Sequence, residues 1–297
     1  MPEQTGSPGS TARSGSPSPA DSNADMPFWD HVDQLRQLAV RIICLIAVAA
    51  AGMWMALPHI MDSVILAPTH PGFITWRVMA RLAALTGAVP EFAIDPTHLS
   101  IINIRLASQF FIHASLSFWM AVVALLPALL YMLWGFVAPG LLPSEKRGAG
   151  RAFTLGSLMF YLGILTGYFL VFPLTLRFLA DYSLSDAIAN TLSLDSYMDN
   201  FLTLTLVMGI IFELPVVAWM LGRAGLIHRG IFRRYRRHAI VALMLLAAII
   251  TPSGDPFTLM AVFLPVYMLW EVSALLVPGK RSPSSAACPN PATSPAS

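Results

Sequence analysis

The chain has 297 residues, of which 56% are hydrophobic and only 11% are Asp, Glu, Lys or Arg. A soluble globular domain carries about 25% charged residues, so the composition indicates a protein embedded in a lipid bilayer and argues against a cytosolic enzyme, a fibrous protein or a wholly disordered chain. The 18 basic and 16 acidic residues nearly balance, and we expect no nucleic-acid partner. The two cysteines, Cys44 and Cys288, stand in unrelated settings and form neither a disulfide framework nor a zinc pattern.

The two ends of the chain predict disordered tails. Residues 1–25 and 278–297 consist mostly of Ser, Pro, Gly, Ala and Thr, which cannot bury enough apolar surface to become ordered. The N-terminus also lacks the basic region followed at once by an apolar core that marks a secretory signal. We therefore expect residues 26–277 to form a single membrane domain.

Six apolar runs predict an all-α, polytopic fold with six transmembrane helices. The first four can each cross a hydrocarbon core of about 30 Å, which takes about 20 helical residues. The last two offer only 12 and 14 apolar positions, before Thr251 and Glu271, and reach about 18–21 Å. We expect a short helical hairpin that either thins the bilayer locally or packs against neighbouring helices. The alternative is one re-entrant loop. The runs lie at 37–57, 113–137, 152–176, 200–222, 239–250 and 257–277.

The placement of Lys and Arg predicts that both termini are cytoplasmic. With that orientation, 14 of the 18 basic residues lie in inside segments and 4 in outside segments. A re-entrant loop in place of the last hairpin would move Lys280 and Arg281 outside.

The two long outside segments each predict a cap. Within 58–112, residues Phe73–Leu85 have helical periodicity with arginines on one side, which favours an amphipathic helix on the outer membrane surface. The segment 177–199 carries four aspartates and should form a second cap. They are Asp181, Asp186, Asp195 and Asp199.

No enzyme motif is present, and we expect neither catalysis nor a cofactor or metal. The chain lacks His-Glu-x-x-His and Gly-x-Ser-x-Gly, the signatures of zinc proteases and serine hydrolases. Ser253-Gly254-Asp255 has the Gly-Asp of an intramembrane aspartyl protease, but Pro252 stands where that motif needs Gly. The pair Gly163 and Gly167 could bring two helices close, by default within the protein rather than in a dimer.

Glu213 is the most informative residue. It lies inside the fourth apolar run, about 20 Å below the outer surface, where a carboxylate is costly unless it faces protein or water. Pro215, two residues later, removes a backbone donor and can bend the helix. Glu213 is either a buried, protonated structural residue or a polar point in a groove or pathway. Glu271 lies nearer the inner surface, so we expect its side chain to reach water.

Six short motifs follow one another along the predicted spans and loops. They are His31–Arg36 before the first span, Phe136–Leu141 with Glu145–Arg147 in the first inner loop, Tyr168–Pro173 at the end of the third span, Phe212–Pro215 in the fourth, Thr251–Phe257 in the last outer turn, and Leu264, Pro265 and Glu271 in the sixth. Each motif alone is weak, but in this order and with this topology they resemble the TatC family, the polytopic receptor subunit of the twin-arginine protein translocase, from about Phe28 to Val277.

The chain departs from the family pattern at four places. Gln34 stands where the family usually has Glu. The last turn has one more residue than the family's Thr-Pro-Pro-Asp, and a polar residue that usually follows its Asp is apolar here, near Leu259. The Pro-rich stretch between Pro68 and Pro96 lengthens the first outer loop.

The resemblance implies a receptor and scaffold that exports folded proteins across the bacterial cytoplasmic (inner) membrane, driven by the proton-motive force. It implies binding of signal peptides with paired arginines, and partners of the TatA and TatB type, which are single-span proteins with amphipathic helices, in an oligomeric complex. The alternative is a proton-coupled secondary transporter of a small solute with Glu213 as its proton site. Such folds often contain internal repeats, and the halves 28–150 and 151–277 show none.

Carboxylates match the flat guanidinium groups of paired arginines with charge-assisted hydrogen bonds. The resemblance places one arginine contact on the first motif and the other on the loop glutamate. We expect Glu145 to contribute most, Gln34 and Asp33 to assist, Leu35 and Phe136 to pack the site, and Arg36 to belong to the same motif. A solvated Glu145 that merely balances Lys146 and Arg147 is the alternative. The expected intramembrane polar or partner contacts are Glu213, Pro215, Asp255 and Glu271.

Overall fold

The computed structural model describes residues 28–86, 101–137, 143–181, 191–223, 225–251 and 255–277. The predicted tails lie outside the described residues. Within the described ranges the chain is almost entirely helical. The helices are α1 (Phe28–Ile60), α2 (Ile74–Thr86), α3 (Ser108–Val137), α4 (Pro143–Thr166), α5 (Phe172–Asp181), α6 (Leu194–Ile211), α7 (Leu214–Arg223), α8 (Arg229–Arg234), α9 (Arg236–Ile250) and α10 (Pro256–Leu276).

Among the described residues, five stretches are long and apolar enough to cross a membrane, and they contain α1, α3, α4 with α5, α6 with α7, and α10. The predicted crossing at 239–250 corresponds to α9, which has only 15 residues, so the count of six crossings and the side of the termini stay predictions. Helix α9, with 15 residues, is short as expected. Helix α10, with 21 residues, is shorter than the other candidate spans, which have 29 or more, but its length of about 31 Å exceeds the reach that we expected. Helix α10 nevertheless continues through Glu271 to Leu276.

The third and fourth spans are interrupted near a proline. A π-helical turn, Gly167–Val171, joins α4 to α5 just before Pro173. The fourth span, predicted as one bent helix, is divided between Ile211 and Leu214. Pro215 is the second residue of α7. N–H groups in the first turn of a helix have no helical acceptor, so the N–H that proline lacks costs no helical hydrogen bond at this position. The division leaves Glu213 at the junction of the two helices.

Side chains of neighbouring helices compensate for prolines inside the spans. A proline leaves the carbonyl four residues earlier without its helical donor, and in a bilayer that carbonyl needs another partner. Pro127 in α3 does this to Val123, and the hydroxyl of Tyr161 in α4 donates to the Val123 carbonyl at 2.9 Å.

The same compensation joins α1 to α3. Pro58 lies four residues after Trp54 in α1, and Nε2 of His113 in α3 lies 2.9 Å from the Trp54 carbonyl oxygen. The imidazole also stacks on the Trp54 indole, with ring centroids 3.9 Å apart. Because a carbonyl only accepts, His113 carries its proton on Nε2 in this contact.

Helix α2 confirms the amphipathic helix predicted in the first long loop. Its arginines, Arg77 and Arg81, are exposed, whereas Thr75 on the other side is buried. The Thr75 hydroxyl donates to the carbonyl of Phe169, four residues before Pro173. Helix α2 is therefore docked on the third span by a hydrogen bond as well as by apolar contact.

Helix α6 forms the centre of the bundle. Leu204 and Met208 are fully buried in the main apolar cluster. Half of the residues in the most apolar part of this span are buried, compared with 6% in the first span. Gly163 and Gly167 allow α4 and the π-helical turn to approach α6: a Cβ on Gly163 would lie 2.5 Å from the Met208 carbonyl oxygen. This glycine pair packs within the protein, as predicted.

The two long predicted outer segments meet. A two-residue strand, β1 (Ile101–Ile102), pairs in parallel with β2 (Leu192–Ser193). The Ser108 hydroxyl at the start of α3 lies 2.7 Å from both carboxylate oxygens of Asp195 in α6. Within the described residues, these contacts tie the starts of α3 and α6 together.

Candidate functional site

The break between α6 and α7 directs the Glu213 side chain toward α4. The Glu213 carbonyl accepts from the N–H groups of Val216 and Val217, both at 3.0 Å, so the backbone of Glu213 begins α7. A Cβ built on Gly156 would lie 2.9 Å from Glu213 Oε2 and 3.4 Å from Oε1. The carboxyl group thus occupies the space that a glycine leaves on the neighbouring helix.

The Glu213 carboxyl group has an unused hydrogen-bonding atom. The residue is half-buried, and its Oε1 is buried without a hydrogen-bond partner among the described residues. Leaving a buried oxygen without a hydrogen bond costs about 1–3 kcal/mol of folding stability. A hydrogen-bond donor from a partner or from water would therefore stabilise this carboxyl group. Pro215, two residues later, is buried.

Asp255 and Glu271 both have partners among the described residues. Asp255 caps α10 by accepting a 2.6 Å hydrogen bond from the Thr258 N–H. Glu271 Oε1 lies 2.6 Å from Nη2 of Arg236 and accepts a 2.8 Å hydrogen bond from the Tyr267 hydroxyl. Glu271 therefore forms an ion pair with α9, and its side chain is also 35% exposed, consistent with the expected contact with water. Hydrogen bonds that the Arg236 guanidinium donates to the Tyr267 hydroxyl and the Glu271 carboxylate raise the pKa of Arg236.

Four of the predicted signal-peptide residues lie together near the start of α1. Asp33, Gln34, Leu35 and Arg36 are all exposed. Trp54 contacts both His113 and Phe110 at the other end of α1, so α1 and α3 run antiparallel.

Phe136, near the end of α3, is consequently at the same end of the helical pair as Gln34. Glu145 follows two residues after α4 begins at Pro143, but its side chain lies outside the described part of the structure. The convergence of Glu145 with Gln34 stays a prediction.

Sequence reasoning missed the neighbours of the two intramembrane glutamates. Tyr267 precedes Glu271 by one helical turn, so the 3.6-residue period could have indicated that contact. Gly156 and Arg236 reach their glutamates only through packing of separate helices, and no local pattern indicates either pair.

Three comparisons with known proteins agree with one another. A family model described as "Sec-independent protein translocase protein (TatC)" matches residues 30–265. A protein of Deinococcus radiodurans, named Sec-independent protein translocase protein TatC, is 31% identical over 254 residues, covering 85% of this chain and 86% of that protein. A protein of the same name from Blattabacterium sp. subsp. Periplaneta americana is 28% identical over 250 residues, covering 84% and 94%.

Solved structures show the same likeness. A crystal structure of the twin arginine translocase receptor TatC superposes with a TM-score of 0.63 and 26% sequence identity, covering 83% of this chain and 97% of that one. A second crystal structure of that receptor, in DDM, gives a TM-score of 0.61.

Proposed function

The chain belongs to the TatC family of Sec-independent protein translocase proteins, and from that membership we propose that it is the receptor and scaffold subunit for export of folded proteins with paired-arginine signal peptides. With five apolar stretches able to span a bilayer in the described part of the chain, it is a multi-pass membrane protein. Family membership favours this role over a secondary transporter of a small solute.

The observation that carries the receptor role is the exposed polar turn at the start of α1. Asp33 and Gln34 are both exposed, and their side chains carry acceptor oxygens. Two adjacent arginines of a peptide need such acceptors because their guanidinium groups stay charged and donate in fixed planar forks. Glu145 in the first inner loop supplies the second, fully charged acceptor in this proposal.

The Glu213 carboxyl group is proposed as the contact for a partner or cargo helix inside the membrane. Its Oε1 is buried without a partner among the described residues, so the half-buried side chain has to turn outward to meet a polar side chain of a membrane-inserted helix. TatA- and TatB-type single-span subunits are the proposed partners, in an oligomeric complex of the bacterial inner membrane that uses the proton-motive force.

Co-purification with a signal peptide tests the receptor role. The full chain in detergent is mixed with a paired-arginine peptide and, in parallel, with the same peptide carrying two lysines. We expect the arginine peptide to be retained and the lysine peptide to be lost, because lysine keeps the charge but not the bidentate geometry. Equal retention of both peptides would contradict the proposal.

A further inference from the structure

A cavity of about 290 Å³ lies at the arginine-rich end of the bundle, between α8 and the last turns of α10. Its lining combines three arginines and a glutamate with two aromatic side chains and two aliphatic side chains of α10. The main lining residues are Arg229, Phe232, Arg233, Arg236, Trp270 and Glu271.

Two of the three arginines carry uncompensated charge. Arg236 is neutralised by Glu271, with 2.6 Å between Nη2 and Oε1. Arg229 and Arg233 stand one helical turn apart in α8, which places them on the same side of the helix. Neither has an ion-pair or hydrogen-bond partner among the residues that the structure describes. Two like charges that share a cavity repel each other, so an anion between them would be stabilised.

The cavity continues onto an apolar face of α10. Phe232 and Trp270 pack with ring centroids 4.8 Å apart and form one wall. Leu275 at the cavity edge is 66% exposed, and Met268 and Leu264 extend the same exposed face along the helix. In a membrane this face contacts acyl chains.

We propose that this cavity binds an anionic phospholipid, with the headgroup phosphate between Arg229 and Arg233 and an acyl chain along Leu275 and Met268. Arginine matches phosphate because its planar fork donates two parallel hydrogen bonds. Basic pockets next to transmembrane helices on the cytoplasmic side are suited to such headgroups. A free anion would use the arginines alone and leave the apolar face unoccupied.

Lipid binding by the purified full-length protein tests the proposal. Phosphatidylglycerol or phosphatidylcholine is added to the detergent-solubilised protein, and bound lipid is counted by native mass spectrometry. We expect the parent to prefer phosphatidylglycerol. The Arg229→Gln/Arg233→Gln variant should bind it roughly tenfold more weakly, or about 1.4 kcal/mol.

The matched control is Arg234→Gln/Arg237→Gln, which removes the same charge from exposed positions outside the cavity lining and should bind nearly as the parent does. If both double variants lose binding equally, general surface charge explains the effect and the proposal is wrong. The proposal also fails if the parent binds both lipids equally.

Two further measurements complete the test. Competition with inorganic phosphate distinguishes a lipid site from a simple anion site, and a lysine double variant replaces the glutamine variant if that one misfolds. Excess inorganic phosphate should leave phosphatidylglycerol bound, and its displacement by phosphate would show a simple anion site. Arg229→Lys/Arg233→Lys keeps the charge but loses the bidentate geometry, so it should weaken lipid binding in a monodisperse protein. Unchanged binding in this lysine variant would contradict the proposed phosphate contact.

Discussion

The Tyr161 hydroxyl donates a 2.9 Å hydrogen bond to the Val123 carbonyl, the carbonyl that Pro127 deprives of its helical donor. His113 and the Trp54 carbonyl repeat this arrangement four residues before Pro58. The prolines that weaken individual helices therefore create acceptors that bind neighbouring helices together, because a bilayer core offers no water to take that place.

Tyr161→Phe should destabilise the protein, by about 0.6 kcal/mol and at most about 1.7 kcal/mol, because the Val123 carbonyl loses its donor. Pro127→Ala restores the helical donor, so the cost of Tyr161→Phe should fall in that background. A double-mutant cycle of unfolding free energies in detergent or bicelles measures this coupling. Tyr131→Phe, at an exposed position of α3, is the control and should change little.

Gly163→Ala should destabilise the bundle by about 1–3 kcal/mol or more, because its Cβ would lie 2.5 Å from a backbone oxygen, that of Met208. Rigid backbone cannot move aside cheaply. Gly135→Ala in α3 meets nothing within 4 Å and should be neutral or stabilising, since alanine favours a helix. Thermal unfolding of the two variants in one detergent compares them, and equal melting temperatures would contradict the close approach of α4 and α6.

Glu213→Gln should retain much of the export activity, Glu213→Ala should lose more, and Glu213→Leu should lose most. Glutamine keeps a hydrogen-bonding group at the helix break, whereas leucine fills the space without one. Export of a folded reporter with a paired-arginine signal measures the order. Normal export by Glu213→Leu would eliminate the proposed polar contact.

Gly156→Ala should lower export while leaving the fold intact. Its Cβ would meet Glu213 Oε2 at 2.9 Å, the far end of a flexible side chain, so the carboxyl group moves and the backbone does not. The melting temperature should stay close to that of the parent, and the export rate should change in the direction of Glu213→Ala. Normal export together with a normal melting temperature would show that the position of the carboxyl group is unimportant.

Glu145→Gln should weaken binding of a paired-arginine peptide strongly, by about 1.5–3 kcal/mol, the range for hydrogen bonds to charged groups. Gln34→Ala should weaken it modestly, and Gln34→Glu should tighten it by adding a charge. Peptide affinity in detergent at two salt concentrations measures these effects. If Glu145→Gln binds and exports as well as the parent, the assignment is wrong.

Hydropathy and residue type alone were enough to predict several elements. Five of the six predicted spans correspond to long apolar helices, and the predicted helix Phe73–Leu85 corresponds to α2, Ile74–Thr86. The TatC resemblance also came from the sequence and is confirmed by the family model. These features were predictable because the length of an apolar run, the helical period and short motifs are local properties of the chain.

Only the tertiary structure decided what the polar groups of the helices contact. Glu271 bonds with Arg236, 35 residues away, and Glu213 lies against Gly156 on another helix. The proline-freed carbonyls are likewise paired by side chains of other helices. Such contacts depend on how helices rotate and cross when they pack, and a residue's own sequence neighbours carry little information about that packing.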